Sequence, residues 1–244
     1  MHRFFVDSKN VSDEEVRITG SDVNHIKNVL RMKQGDKFYV SDGDITDVTC
    51  EITEINSDEV IAKIIEEHEN TELASRIVLF QGLPKSDKME LIIQKATELG
   101  VSKVVPVAMK RCVVKLDEKK AANKKKRYEA IALSAAKQSK RSVVPEIGDV
   151  LTYKNALKEA ESLDVCIVPY EAAKGMEETR EIISNIKKGQ SIGIFIGPEG
   201  GFDEAEIEEA LSFGFKPISL GRRILRTETA GLTMLSILMF NLED

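Results

Sequence analysis

The chain has 244 residues, enough for one large domain or two modest ones with a core in each. Hydrophobic residues make up 42% and charged residues 31%, the composition of a soluble globular protein, and the longest apolar stretch (231–242) is too short to span a bilayer, so it reads as a buried C-terminal helix. No signal-peptide pattern opens the sequence; Cys50, Cys112 and Cys166 form no CxxC pair, and His2, His25 and His68 are equally scattered. These features point to a reducing cytoplasm, no disulfide framework and no metal site.

Net charge is −6, which alone argues against a nucleic-acid partner. The distribution argues otherwise. Residues 103–141 hold thirteen Lys or Arg against three acids, a surplus of ten positive charges, which leaves −16 on the rest. A basic stripe on an acidic body is an electrostatic footprint for a polyanion. Within it, the sub-run 119–127 reads as a solvated helix face.

Residues 1 to about 70 read as β-rich. Short runs at 38–40, 48–52 and 60–64 are separated by turn signals at Asp42-Gly43 and 56–58, and only 23–32 suggests a helix. Strands this short and closely spaced predict a small barrel. The polar stretch 66–72 reads as a linker. From Arg76 the rhythm changes. Apolar runs at 77–80, 104–107, 165–168, 192–196 and 218–220 alternate with helical patterns, the first of them from an N-cap at Ser86 to Gly100, another carrying Tyr128, Ile131, Ala132 and Ala135 on one stripe. This predicts an α/β domain with a mostly parallel sheet.

Two glycine-anchored segments follow late strands, Ile196-Gly-Pro-Glu-Gly-Gly-Phe202 and Leu220-Gly-Arg-Arg-Ile-Leu-Arg-Thr-Glu-Thr-Ala230. In an open α/β sheet, loops at the carboxyl ends of strands are where small ligands bind. The first lacks the Lys of a Walker A loop and the position of a dinucleotide fingerprint. Its glycines suit a ligand read by backbone groups, such as an adenosine, or else a tight turn with Asp203 as N-cap. In the second, Arg222, Arg223 and Arg226 crowd a short turn before an apolar helix, which calls for an anionic partner. Thr227 can cap that helix and Glu228 complements its dipole.

Together these two segments resemble the signature of the RsmE-type ribosomal RNA uridine-N3 methyltransferases of the SPOUT superfamily. The resemblance extends to His2–Val6, His25 with 29–31 and 35–36, Gln94–Val101, and Gln138-Ser139 with Arg141 and Val144-Pro145, and so spans nearly the whole chain. It implies an N-terminal PUA-like β-barrel (residues 1–70, RNA-binding) and a C-terminal α/β methyltransferase domain (75–244) tied in a trefoil knot. It also implies S-adenosylmethionine as cofactor, a homodimer, and a uridine of 16S rRNA in the small ribosomal subunit as substrate. By the same resemblance the cofactor lies among Pro169, Tyr170 and Glu171; Ile196, Gly197, Pro198, Gly200 and Gly201; and Leu220, Gly221, Ile224, Leu225, Thr229 and Ala230.

For methyl transfer to uracil N3, Arg226 is expected to stabilise charge on the uracil oxygens, and Glu199 and Glu228 are the candidate bases. Arg3, Arg31, Arg111, Lys137 and Arg141 are the expected RNA contacts. Three alternatives stay open: a SPOUT 2′-O-ribose methyltransferase, a non-catalytic RNA-binding module, and an adenine-nucleotide enzyme. The first typically carries an SLN-type third motif where this chain reads Ser219-Leu-Gly-Arg222, and the last lacks any phosphate or metal motif.

Overall fold

Alternation of buried and exposed residues is strict in one of the N-terminal strands. In β2 (Glu15–Thr19), Val16 and Ile18 point inward and their neighbours outward, the period-two signature of a half-buried strand. With β1 (Arg3–Phe5), β3 (Lys37–Ser41), β4 (Asp47–Ile55) and β5 (Glu59–Glu67) it builds a five-stranded sheet in the order β1-β3-β4-β5-β2. Among the described residues the outer strands β1 and β2 do not pair with each other, so the sheet is a half-barrel. The computed structural model describes every residue except 44, 45, 172, 174 and 244. By contacts the chain divides into two units, Met1–Glu72 with Ala136–Val144, and Leu73–Ala135 with Pro145–Asp244.

The core of the first unit is Phe4, Val16, Ile18, Ile26, Phe38, Ile52 and Val60. The helix expected at 23–32 is shorter than its apolar spacing suggests. A single α-turn, α1 (Ser21–Asn24), passes into a π-helical turn at His25–Val29, and Arg31 ends it with φ at 53°. Only Val23 and Ile26 of that stretch are buried, too narrow a face to hold a longer helix on the sheet.

The second unit is a seven-stranded sheet in which each recorded strand pair is parallel. β6 (Arg76–Gly82), β7 (Lys103–Ala108), β8 (Glu146–Ile147), β10 (Val165–Pro169), β11 (Ser191–Ile196) and β12 (Lys216–Ile218) run in the order β12-β10-β11-β6-β7-β8, and β9 (Leu151–Thr152) also pairs with β7. The central strands read as unbroken apolar runs because both faces are covered: Ile77–Phe80 and Ile192–Ile196 are buried throughout, and the rings of Phe80 and Phe195 stack at 4.3 Å. The helices are α2 (Lys88–Glu98), α3 (Glu118–Ser139), α4 (Tyr153–Ala160), α5 (Met176–Ser184), α6 (Glu204–Ser212) and α7 (Thr227–Leu242).

Two boundaries differ from expectation. Ser86 does not cap α2; it sits at φ 55°, and the cap position falls to Asp87. The last strand ends at Ile218 rather than Leu220. Its ladder to β10 stops at Pro169–Ile218, and the Ser219 N–H turns away to the Thr179 hydroxyl at 2.9 Å. That early exit frees residues 219–226 to form a loop.

Candidate active site

β12, β10 and β11 are neighbours and parallel, so their carboxyl ends lie side by side. The segments leaving them (169–171, 197–202 and 219–227) line one cavity of about 570 Å³, a size that takes a small organic ligand. This is the edge of an open parallel sheet where the chain leaves the layer and backbone groups face outward.

Each loop is held by identifiable bonds. Asp203 caps α6 as expected: its carboxylate accepts from Ala205 N at 3.3 Å, and Glu206 returns a bond to Asp203 N at 2.9 Å. Below the loop, Gly82 at the end of β6 lies so close to Pro198 that a Cβ would stand 2.7 Å from the Pro198 nitrogen. A Cβ on Gly200 would stand 3.0 Å from Arg111 Cβ. Close approach thus leaves no room for a side chain at Gly82 and little at Gly200. Arg111 donates to Gly200 O at 3.2 Å and reaches Asp203 at 3.7 Å.

The third segment is fastened to the loop after β11 and to β6. Thr227 does not cap α7, whose cap position is Arg226; it is the first helical residue, and it is buried. Its hydroxyl donates to Gly197 O at 2.7 Å and accepts from Gln81 Nε2 at 2.8 Å. Arg222, Arg223 and Arg226 are exposed on the cavity's rim, and among the described residues no carboxylate pairs with them. Three unpaired guanidinium groups in a five-residue span leave a concentrated positive field at the mouth.

A second charged cluster was not anticipated. Lys88, at the start of α2, lines the cavity and pairs with Glu199 Oε1 at 3.1 Å and Glu228 Oε2 at 3.2 Å. Glu199 also accepts from the Lys85 N–H at 3.0 and 3.3 Å. Burial pushes the Glu199 carboxyl upward, but the backbone N–H donors of Glu199 and Lys85 together with Lys88 outweigh it and hold the group below its ordinary range. The bond from Glu199 raises the Lys88 ammonium in turn.

Of the expected cofactor residues, Pro169, Tyr170, Glu171, Ile196, Gly197, Pro198, Gly200, Gly201, Leu220, Gly221, Ile224, Leu225 and Ala230 all line the cavity, as do Glu199 and Arg226. Thr229 does not line it and is exposed: on α7 the residues three apart, Thr227 and Ala230, share the cavity face and Thr229 falls on another. Lys88, Phe202 and Ser219 line the cavity from outside the three expected segments, and Arg222, Arg223 and Thr227 line it from within the third.

The expected RNA contacts fare less evenly. Arg3 is buried and paired with Asp47 at 2.8 Å, and Asp47 also accepts from Ser142 Oγ at 2.5 Å. Arg141 is buried and bound through its fork to Glu72, whose carboxylate also takes the N–H groups of Ser142 and Val143 at 3.0 and 3.1 Å. Both arginines are interior struts, and their assignment to RNA is corrected accordingly. Lys137 lies over the Phe4 ring and pairs with Asp22 at 3.3 Å. Arg31 is exposed, and Arg111 supports the glycine loop.

Comparison with known proteins matches residues 71–239 to an RNA methyltransferase domain and residues 18–65 to an RNA methyltransferase PUA domain. The chain belongs to the RNA methyltransferase family. Among relatives, Ribosomal RNA small subunit methyltransferase E of Bacillus subtilis (strain 168) is 41% identical over all of this chain and 98% of its own length. The protein of the same name from Mesomycoplasma hyopneumoniae (strain 232) is 36% identical over 97% of this chain and 98% of its own. Among solved structures, the Ribosomal RNA small subunit methyltransferase E of Neisseria gonorrhoeae bound to S-adenosyl methionine superposes with a TM-score of 0.82 at 31% identity, covering 98% of this chain and 97% of that one. In RNA methyltransferase terms, the half-barrel sheet spans the PUA match and the parallel sheet with its cavity spans the methyltransferase match.

Proposed function

We propose that this chain is an S-adenosylmethionine-dependent methyltransferase that modifies N3 of a uridine in 16S rRNA of the small ribosomal subunit. The observation that carries the reading is the joining of two features in one place: a cavity lined by backbone-rich loops and a rim of three arginines without carboxylate partners. Residues 1–70 serve as the RNA-binding barrel and 75–244 as the catalytic domain, the chain working as a homodimer in the cytoplasm.

The residues present suit the cofactor. Gly201 and Gly221 line the cavity at φ 68° and 104° with open space where a Cβ would stand, so a ligand can approach the backbone there, and the cavity has room for an adenosine with its tail. Pro169–Glu171, Ile196–Gly201 and Leu220–Ala230, apart from outward-facing Thr229, would hold it. Bound there, S-adenosylmethionine supplies an electrophilic methyl group. This chain's residues hold the base in line with it, a contribution from proximity alone worth about 7–11 kcal/mol at its upper range. Arg226 stabilises the negative charge on the uracil oxygens as N3 loses its proton. Arg31, Arg222 and Arg223 hold the RNA backbone.

A trefoil knot belongs to the same reading. What supports it is the fastening of Thr227 under Gly197 and the packing of α7 on α2 and β11. The homodimer is supported by α7 itself, which is apolar nearly all round yet leaves Phe240 87% exposed, and by Ile224 on the cavity segment, 85% exposed.

The test is direct. Small-subunit rRNA from cells with and without the protein is copied by reverse transcriptase, because a methyl on N3 blocks Watson–Crick pairing. A stop that depends on the protein, matched by methyluridine in digested nucleosides, is the expected result. Identical stops and identical nucleoside masses would overturn the reading.

A further inference from the structure

Among the described residues, three other than glycine adopt a left-handed backbone: Arg31 at φ 53°, Ser86 at 55° and Lys140 at 62°. Two of the three are long cations. Both are exposed, and among the described residues neither pairs with a carboxylate. Both also lie just past a helical run. Arg31 follows the π-helical turn, and the next N–H, that of Met32, bonds back to Ile26 O at 3.0 Å. Lys140 follows α3, and the next N–H, that of Arg141, bonds back to Ala136 O at 3.1 Å. Glycine is the usual residue at such a closure, because a Cβ is strained there.

The helix dipole does not account for these cations. It returns little to Arg31, because the run before it, residues 21–29, is short, and α3 already carries Lys137 in its last turn. The two runs also meet. Lys137 pairs with Asp22 of α1 at 3.3 Å and lies over the Phe4 ring at 5.4 Å, and the His25 ring packs edge-on against that same ring at 6.4 Å. The end of α3, from Ala136, counts with the first unit, so both cations belong to one compact body. Residues 23–35 and 130–145 carry six Lys or Arg and no acid, in a chain whose net charge is −6. Asp22, the acid just before the first of these stretches, is taken up by Lys137.

We infer that these two helix ends form one RNA-docking face of the first unit, on which Arg31 and Lys140 each hold a backbone phosphate. The inference rests on the proposed function; it adds Lys140 to the RNA contacts and gives Arg31 its setting. Strain is kept at both positions because the partner needs the side chain, whereas the turn alone would be better served by glycine. Phosphate contacts of this kind fix the register and orientation of the RNA and carry no sequence information. Asn24, His25, Asn28 and Val29 are exposed on the first run as well, so the surface beside Arg31 is free of negative charge.

The experiment uses the full chain and 30S subunits from cells lacking the protein. Binding is read by sedimentation across about 0.05–0.3 M salt, and stability by thermal unfolding. Arg31→Gly and Lys140→Gly are each expected to melt at or above the wild-type temperature, since glycine suits the turn. Each should nonetheless weaken binding about fivefold at ~0.15 M salt and lower the slope of log affinity against log salt by about 1. The double variant should lose about twice that slope. Lys63→Ala is the control: Lys63 is exposed on β5, on the strand face opposite core residues Val60 and Ala62, and its loss should leave the slope at the wild-type value. A glycine variant that melts below wild type shows that the cation is kept for its helix end and overturns the inference. So does an unchanged slope in either glycine variant, or an equal fall in slope on losing Lys63. If the wild-type chain neither binds nor methylates the subunits, it is the proposed function that fails.

Discussion

The hydroxyl of Thr227 donates to the carbonyl oxygen of Gly197 at 2.7 Å, joining the first turn of α7 to the loop that leaves β11 thirty residues earlier. The Thr227 hydroxyl oxygen in turn accepts from the Gln81 side-chain amide at the end of β6, so one buried hydroxyl serves three segments. Replacing it with an isosteric methyl removes both bonds, leaving the part-buried Gly197 carbonyl without this donor and the buried Gln81 amide with only its bond to Gly82 O. Thr227→Val is therefore expected to cost about 1–3 kcal/mol of stability and to loosen cofactor binding, while Thr227→Ser keeps both bonds and most of both properties. Thermal unfolding and calorimetric titration with S-adenosylmethionine check this. An unchanged Thr227→Val would mean the fastening is incidental.

Gly82 should tolerate no side chain. A methyl there meets the backbone nitrogen and the ring of Pro198 at 2.7 and 2.8 Å, and neither can rotate away. Gly82→Ala is expected to destabilise the chain by about 1–3 kcal/mol and to displace the glycine loop, weakening cofactor binding as well. Equilibrium unfolding in urea measures the first effect. If stability and affinity both match wild type, the contact is softer than its distances imply.

Arg226 is exposed and, unlike Lys88, is tied to no carboxylate among the described residues, so removing it should leave the fold intact. Arg226→Ala is expected to bind cofactor normally and to lose about 10²–10³ in turnover on subunits, the range seen when a preorganised charge stabiliser is removed. Wild-type turnover in this variant would end its assignment to the reacting base.

Arginines of two kinds should separate cleanly. Arg141→Ala removes the guanidinium from half-buried Glu72, leaving it the N–H groups of Ser142 and Val143, and is expected to cost about 1–3 kcal/mol, read as a fall in melting temperature. Arg223→Ala should leave melting unchanged, weaken RNA binding and reduce the slope of log affinity against log salt by about 1. Equal melting temperatures for the two variants would contradict the burial of Arg141.

Alkaline pH should weaken the fold through its buried thiols. Burial pushes Cys50 and Cys166 up to about 12, whereas an unfolded chain's thiols ionise near 8.5. Their folded-state values are raised, so the stability they contribute is complete below pH ~8.5 and is lost as pH rises towards 12. Urea unfolding at pH 7, 9 and 10.5 is expected to show a progressive fall, shallower in a Cys50→Ala, Cys166→Ala double variant. A flat profile to pH 10.5 would be inconsistent with two protonated interior thiols.

Much of the fold was legible because local chemistry repeats along the chain. The apolar runs at 77–80, 104–107, 165–168 and 192–196 became parallel strands as read, since a strand covered on both faces needs nothing but apolar residues. Asp203 announced the start of α6 through its capping box with Glu206. Ser86 and Thr227 misled for the same reason in reverse. Both are good capping residues by type, but Ser86 is turned into a left-handed conformation and the Thr227 hydroxyl is already committed to Gly197. Lys88 carried no local sign of its role, because its partners lie more than one hundred residues away.

The sequence by itself determined which segments meet around the cavity, since the glycines at 197–201 and the arginines at 222–226 are properties of residue type and spacing. It equally determined the sheet's layering, through periodicity. Only the tertiary structure decided which charges are available. Arg3 and Arg141 look no different in sequence from Arg222 and Arg223, yet the first two are neutralised by Asp47 and Glu72 inside the fold and the others stand free at the cavity. Charge is written in the chain, but solvation and pairing depend on neighbours brought from far along it, and those decide whether a guanidinium supports the protein or meets RNA.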